Sequence, residues 1–248
     1  MNADGNEALS RRGFLAISAA TLGGVMLAPG IRLIEIAGAR APEQGVSKQV
    51  RWGLLIDTNK CAPGCDDCVK ACATENGLKQ SGYTRTDAQW IRKVELKDKR
   101  TGRASSVPVM CQHCEHPPCV DVCPTGASFK RADGIVLVDR HICIGCRYCM
   151  MACPYKARSI VFEAITEQNP DVPRGQGCAE ACTLCVHRVD REQQPACVEA
   201  CTKAGHNAML FGDLNDPHSE IAQRVAKYAS TQIRADFKLN PGVRYQGL

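Results

Sequence analysis

Residues 143 to 154 read CIGCRYCMMACP, four cysteines and a proline in twelve positions. Cysteine thiolates are soft ligands, so thiols at that density point to zinc or to iron–sulfur clusters. Three further stretches are built alike. The first, CAPGCDDCVKAC, holds Cys61, Cys65, Cys68 and Cys72; the second, CQHCEHPPCVDVCP, holds Cys111, Cys114, Cys119 and Cys123. The opening stretch is the third, with Cys143, Cys146, Cys149 and Cys153. The fourth, CTLCVHRVDREQQPACVEAC, holds Cys182, Cys185, Cys197 and Cys201. Of the 17 cysteines only Cys178 stands outside these groups.

The third group has the spacing C-x2-C-x2-C-x3-C-P of bacterial iron–sulfur proteins. In that run three thiolates cap one cubane and the fourth ligates a neighbouring cluster. Cys123-Pro124 repeats the ending, with two extra residues in a loop that contains Pro117 and Pro118. Four all-thiolate zinc sites would also consume these thiols, but zinc ribbons pair two C-x2-C knuckles and do not use a triplet with an offset fourth. Disulfide pairing leaves one of an odd number over, and C-x2-C steps this dense are poor geometry for mutual cross-links. Four [4Fe-4S] clusters are therefore the expected cofactors. His113 and His187 lie beside cysteines and are read as structural or hydrogen-bonding neighbours rather than ligands. Cys178 is read as a spare thiol.

The elements that position these thiols follow from the spacing. Each group ends in C-x3-C: Cys68 and Cys72, Cys119 and Cys123, Cys149 and Cys153, Cys197 and Cys201. In a helical turn that step puts both side chains on one face. The earlier cysteines then belong to irregular loops, where Gly64 and Gly145 supply backbone freedom. Strand-like stretches separate the groups: WIRKVELK (90–97), GIVLVD (134–139) and SIVFEAI (159–165), with a reversal at CPTGA. A helix is expected near Ser219 to Thr231, followed by an extended tail, FKLNPGVRYQGL. Aromatic residues are only 5% of the chain, so metal centres must supplement a modest apolar core.

The first forty residues read as an address. Ser10-Arg11-Arg12-Gly13-Phe14-Leu15 opens a stretch of 19 uncharged residues from Gly13 to Ile31, and Ala37-Gly38-Ala39 offers a small-x-small cleavage site. That pattern is a twin-arginine export signal, a route that carries proteins already folded around cofactors. An uncleaved signal serving as an anchor is the alternative. No later stretch is apolar over a spanning length. The formal charge of +5 could suggest nucleic acid, but four oxidised cubanes with their thiolates would bring the total to about −3. The scattered Lys and Arg are thus counter-charges, and no nucleic-acid partner is expected.

The signal, the four groups and the stretches CQHCEHPPCVDVCPTGA, CTLCVHRV and FGDLNDP resemble the four-cluster ferredoxin-like iron–sulfur subunits of membrane-bound oxidoreductases, over about Arg51 to Pro217. The signal and DTNKCAPGCDDCVKACATENG favour the branch associated with sulfite reduction. The resemblance implies an α+β fold of tandem bacterial ferredoxin-like modules with short helices and hairpins. Residues 1–39 would be the signal, and 101–165 an inserted module carrying groups two and three. Residues 50–100 with 166–215 would form an outer module carrying groups one and four, and 216–248 a C-terminal helix and tail. Carried over residue by residue, one cluster takes Cys61, Cys65, Cys68 and Cys201, and another Cys111, Cys114, Cys119 and Cys153. A third takes Cys143, Cys146, Cys149 and Cys123, and the last Cys182, Cys185, Cys197 and Cys72. Two departures bear on the outer sets: Cys61-x3-Cys65 has an extra residue, and no proline follows Cys72 or Cys201.

The implied function is electron transfer without a catalytic residue. The protein would be periplasmic and act in sulfur metabolism, membrane-associated through an integral quinone-interacting subunit, with a cytochrome c or a molybdoenzyme as further partner. The alternatives are the electron-transfer subunit of a molybdopterin thiosulfate, polysulfide or tetrathionate reductase, and a zinc-binding scaffold.

Overall fold

The structure, a computed structural model, describes residues 45–79, 81–82 and 86–248; the twin-arginine segment lies outside the described residues. The core begins with β1 (Trp52–Asp57), whose Leu54, Leu55 and Ile56 are all buried. A strand covered on both faces reads as a continuous apolar run, and β1 is one. It lies between β8 (Met209–Asp213), antiparallel, and β9 (Val243–Gln246), parallel, with Leu54 opposite both Phe211 and Val243. Close approach requires Gly53 there, because a Cβ would stand 2.6 Å from the Gly242 carbonyl oxygen and 2.5 Å from Leu214. The C-terminal stretch expected as an extended tail is extended, but as a strand of this sheet. Tyr245 is 0% exposed, and its hydroxyl donates to the Pro108 carbonyl at 3.0 Å and accepts from Gln112 at 3.2 Å.

Three hairpins carry the remaining strands: β2 (Ile91–Lys97) with β3 (Ala104–Met110), β4 (Ser128–Lys130) with β5 (Val136–Val138), and β6 (Ser159–Ile160) with β7 (Ala179–Glu180). The stretch SIVFEAI is therefore a strand only at its first two residues. Beyond them Val161 still exchanges hydrogen bonds with the backbone of Cys178 and Gly177, and then Gly177, at φ 78°, turns the partner segment away.

The helices are short: α1 (Asp67–Glu75), α2 (Pro118–Asp121), α3 (Tyr148–Ala152), α4 (Val186–Val189), α5 (Ala196–Lys203) and α6 (Glu220–Lys227). Ser219 caps α6, its hydroxyl accepting from the Ala222 amide at 3.2 Å. Ile221 of α6 is fully buried over Gly212 of β8, where a Cβ would come within 2.9 Å of it. α1 packs on α5, and α2 on α3. Short helices and small, mostly antiparallel sheets make this an α+β chain. Among the described residues no helix is long and apolar enough to cross a membrane.

Candidate metal centres

The helix pairs distribute the thiols. Cys68 and Cys72 are one turn apart on α1, a rise of about 6 Å along its axis. Cys68 joins Cys61, Cys65 and Cys201 around one cavity. Cys72, one turn on along the same side of α1, belongs to another set. The charge of Cys72 acts on Cys182 and Cys197, and that of Cys185 acts on both as well, so these four thiols converge. α5 mirrors α1, giving Cys197 to the second set and Cys201 to the first. The other helix pair repeats the exchange. Cys111, Cys114 and Cys119 share a cavity with Cys153, and Cys143, Cys146 and Cys149 share one with Cys123. Three sites, each bounded by four sulfurs, suit one repeated occupant.

The two helix pairs differ at their ends. Cys72 and Cys201 lie inside α1 and α5, whereas Cys123 lies two residues beyond α2 and Cys153 is the extended residue closing α3, at ψ 113°. Pro124 and Pro154 account for this, because a proline drives the preceding residue out of the helical region. The loops that wrap the other thiols use left-handed backbone: Gly64 at φ 74°, Gly145 at 68°, Arg147 at 67° and Cys185 at 50°. At Gly145 a Cβ would sit 2.3 Å from the Gly177 carbonyl oxygen, so only glycine fits.

Burial grades the four sets. Cys72, Cys182, Cys185 and Cys197 are all buried, as are Cys111, Cys114, Cys119 and Cys153. Cys61 and Cys65 reach the surface in part, and so do Cys123 and Cys143, while Cys146 is exposed. Without metal, burial pushes Cys68 up to about 11 and Cys111 and Cys114 up to about 12, and drives Cys182 and Cys197 well above their ordinary value. A cation must offset that cost, since coordination deprotonates a thiol outright. Cys123 goes the other way. Burial raises it, but hydrogen bonds from Ser128 and Thr125 outweigh burial and leave it lowered.

Backbone amides already point at these sulfurs. Ser128 donates to Cys123 Sγ at 3.3 Å, Ala157 to Cys153 at 3.5 Å, Ala179 to Cys143 at 3.4 Å, Leu184 to Cys182 at 3.4 Å and Ala208 to Cys201 at 3.3 Å. The Tyr155 hydroxyl and Arg158 Nε, both buried and without a partner, belong to residues lining the Cys111 cavity. Such donors suit an acceptor group of inorganic sulfide and thiolate. The donor sets thus fit four [4Fe-4S] clusters, which supply reversible one-electron storage when bound.

The histidines bridge elements. His113 Nδ1 accepts from the Val136 amide at 3.0 Å, and burial lowers its pKa to about 3, so it is neutral. His187 Nε2 meets Glu75 Oε1 at 2.8 Å and ties α4 to α1. Cys178 lies beside the third group, its thiol donating to the Arg140 carbonyl at 3.3 Å and to the Cys143 carbonyl at 3.9 Å. Sequence reasoning treated the basic residues only as scattered counter-charges. The structure singles out Lys93 beside Cys61 and Cys68, and Arg158, whose Nη2 donates to Cys119 Sγ at 3.2 Å. It also places Asp67 and His206 beside Cys65, with ligand atoms mutually within 4.8 Å. Arg158 and Cys119 are 39 positions apart, and no local pattern announces that contact.

Comparison with known proteins agrees with this donor chemistry. The family described as 4Fe-4S dicluster domain matches residues 103–214, and a second family of the same description matches residues 60–127. The chain is 42% identical to the Hdr-like menaquinol oxidoreductase iron-sulfur subunit 1 of Archaeoglobus fulgidus, covering 97% of this chain and 98% of that protein. It is 37% identical to a tetrathionate reductase subunit of Salmonella typhimurium, over 90% and 84%, and 40% identical to protein NrfC of Escherichia coli, over 70% of each. Likeness to one relative that runs nearly end to end, with dicluster families that together span all four cysteine groups, places this chain in the family of ferredoxin-like iron–sulfur subunits of oxidoreductase complexes, which carry electrons on four [4Fe-4S] clusters.

Proposed function

We propose that the chain is the electron conduit of an exported, membrane-associated redox complex of sulfur metabolism. In this reading it joins a quinone-handling integral membrane subunit to a further redox subunit, in the manner of the DsrO subunit of the sulfite-reduction-associated Dsr complex. The grading of burial is the observation that carries it. Cysteine sets that share helices are neighbours: the Cys61 set with the Cys72 set through α1 and α5, and the Cys111 set with the Cys143 set through α2 and α3. Members of the Cys61, Cys72 and Cys111 sets share one apolar core, and Cys119 of the Cys111 set joins Cys143 and Cys149 in a second. Two sets reach the surface and two are buried, which is what a conduit with two docking ends needs.

The ligands we assign are Cys61, Cys65, Cys68 and Cys201; Cys72, Cys182, Cys185 and Cys197; Cys111, Cys114, Cys119 and Cys153; and Cys123, Cys143, Cys146 and Cys149. The chain's own part is to hold each set in place, exclude water from the inner two, and aim amide N–H groups at the sulfurs. The likeness to the menaquinol oxidoreductase protein supports a quinone-linked partner. The likeness to the tetrathionate reductase protein supports a second reading, service to a molybdoenzyme. Affinity purification of the native complex separates them: a cytochrome c partner supports the first, a molybdopterin enzyme the second. Export by the twin-arginine route predicts that Arg11→Lys with Arg12→Lys leaves cluster-loaded protein in the cytoplasm. Undiminished periplasmic protein in that variant would contradict it.

A further inference from the structure

Among the described residues, Arg158 is the one buried cation whose side chain donates to a cysteine sulfur of the Cys111 set. Its residue is 6% exposed. Nη1 donates to Ser128 Oγ at 2.8 Å, Nη2 donates to Cys119 Sγ at 3.2 Å, and Nε has no protein partner. Three other sheltered arginines are neutralised by carboxylates, Arg174 by Glu180 at 2.6 Å, Arg131 by Asp190 at 2.8 Å and Arg188 by Glu75 at 3.0 Å, while the half-buried Arg244 relies on Asn240 and a backbone carbonyl. Among the described residues no carboxylate forms an ion pair with Arg158. A buried charge left unpaired is costly, so a partner of opposite sign is required. The negative groups within its field are Cys119 and Cys111 of one set and Cys149 of the next.

We propose that Arg158 is a potential-setting cation shared by two neighbouring clusters, those of the Cys111 and Cys143 sets. This rests on the ligand sets assigned above. A reduced cluster with its thiolates carries one more negative charge than an oxidised one, so a fixed positive charge beside it favours reduction. Arg158 stays protonated throughout. An electron passing between bound clusters would therefore take no proton from Arg158. A cation between two adjacent centres also weakens the repulsion between electrons that occupy both. Hydrogen bonds to sulfur act in the same direction, and the fork of Arg158 supplies one from Nη2 and a second, unpartnered donor at Nε. The Cys61 and Cys72 sets lie outside this contact and serve as internal references.

The test is potentiometric EPR titration of the anaerobically isolated, cluster-loaded complex, with iron and labile sulfide measured on the same samples. Arg158→Gln should retain wild-type iron while two of the four one-electron potentials fall. Each should lose at least tenfold in its reduction equilibrium, about 59 mV for a one-electron couple. Arg158→Lys, which keeps the charge, should lose less. Four unchanged potentials in fully loaded Arg158→Gln, an equal fall in all four, or as large a fall in Arg158→Lys would overturn the proposal. A second arm needs no variant. Wild-type protein labelled with guanidino-15N arginine should show nitrogen hyperfine coupling on reduction, and its absence overturns the proposal whether or not the Gln variant folds. Wrong ligand sets would instead appear as Cys153→Ala and Cys146→Ala destroying the same single cluster.

Discussion

Cys149 and Cys153 are four positions apart and line different cavities, and Cys119 and Cys123 are divided in the same way. Removing one thiolate should therefore damage a cluster whose other ligands lie far off in sequence. Cys153→Ala is expected to convert or abolish the cluster of Cys111, Cys114 and Cys119 and to spare that of Cys143 and Cys146. Cys123→Ala should do the converse. EPR spin counting on reduced protein, with each change paired to Cys114→Ala or Cys146→Ala, decides. If Cys153→Ala and Cys146→Ala destroy the same single cluster, the exchange of ligands is wrong. Cys178→Ala should keep all four clusters, losing only thiol-to-carbonyl hydrogen bonding of about 1 kcal/mol. Iron content below wild type in that variant would make Cys178 a ligand.

The elements exist to hold those thiols at fixed separations, and this scale shows what sequence could and could not yield. C-x3-C announced a helical turn with both thiols on one side, and α1 and α5 have that form. The proline after Cys123 and Cys153 was equally visible, yet its effect, pushing those cysteines past the helix end, appears only once backbone angles are known. WIRKVELK forms β2 because its partner β3 is long enough to match it, whereas SIVFEAI has only two residues of partner strand. The final residues looked like a tail because pairing with β1, almost 200 positions away, leaves no local trace. That pairing can be tested. Gly53→Ala should cost about 1–3 kcal/mol by overpacking, since its Cβ would strike the Gly242 backbone. Tyr245→Ala should cost about 3–5 kcal/mol. Thermal melts of cluster-loaded protein measure both, and an unchanged Tm for either would mean β9 does not pin the sheet.

Across the whole molecule the cysteine sets do double service as redox sites and as core. Buried cysteines run through the principal apolar cluster alongside Trp90, Ile135 and Tyr245. Coordination needs these thiols as thiolates, a form that burial alone disfavours, and metal binding to such sites is largely folding energy. Iron extraction under reducing conditions should therefore remove the cooperative thermal transition altogether rather than lower its midpoint. Circular dichroism follows that loss, and an intact transition in iron-free protein would contradict it. The grading of burial further predicts that limited oxygen exposure first attacks the cluster at exposed Cys146. The most direct test of four complete sulfur sets is the iron and acid-labile sulfide content of the anaerobically purified chain. About sixteen of each per chain is the predicted result. Stoichiometric zinc with little iron, or about half that iron with no recovery on reconstitution, would contradict it.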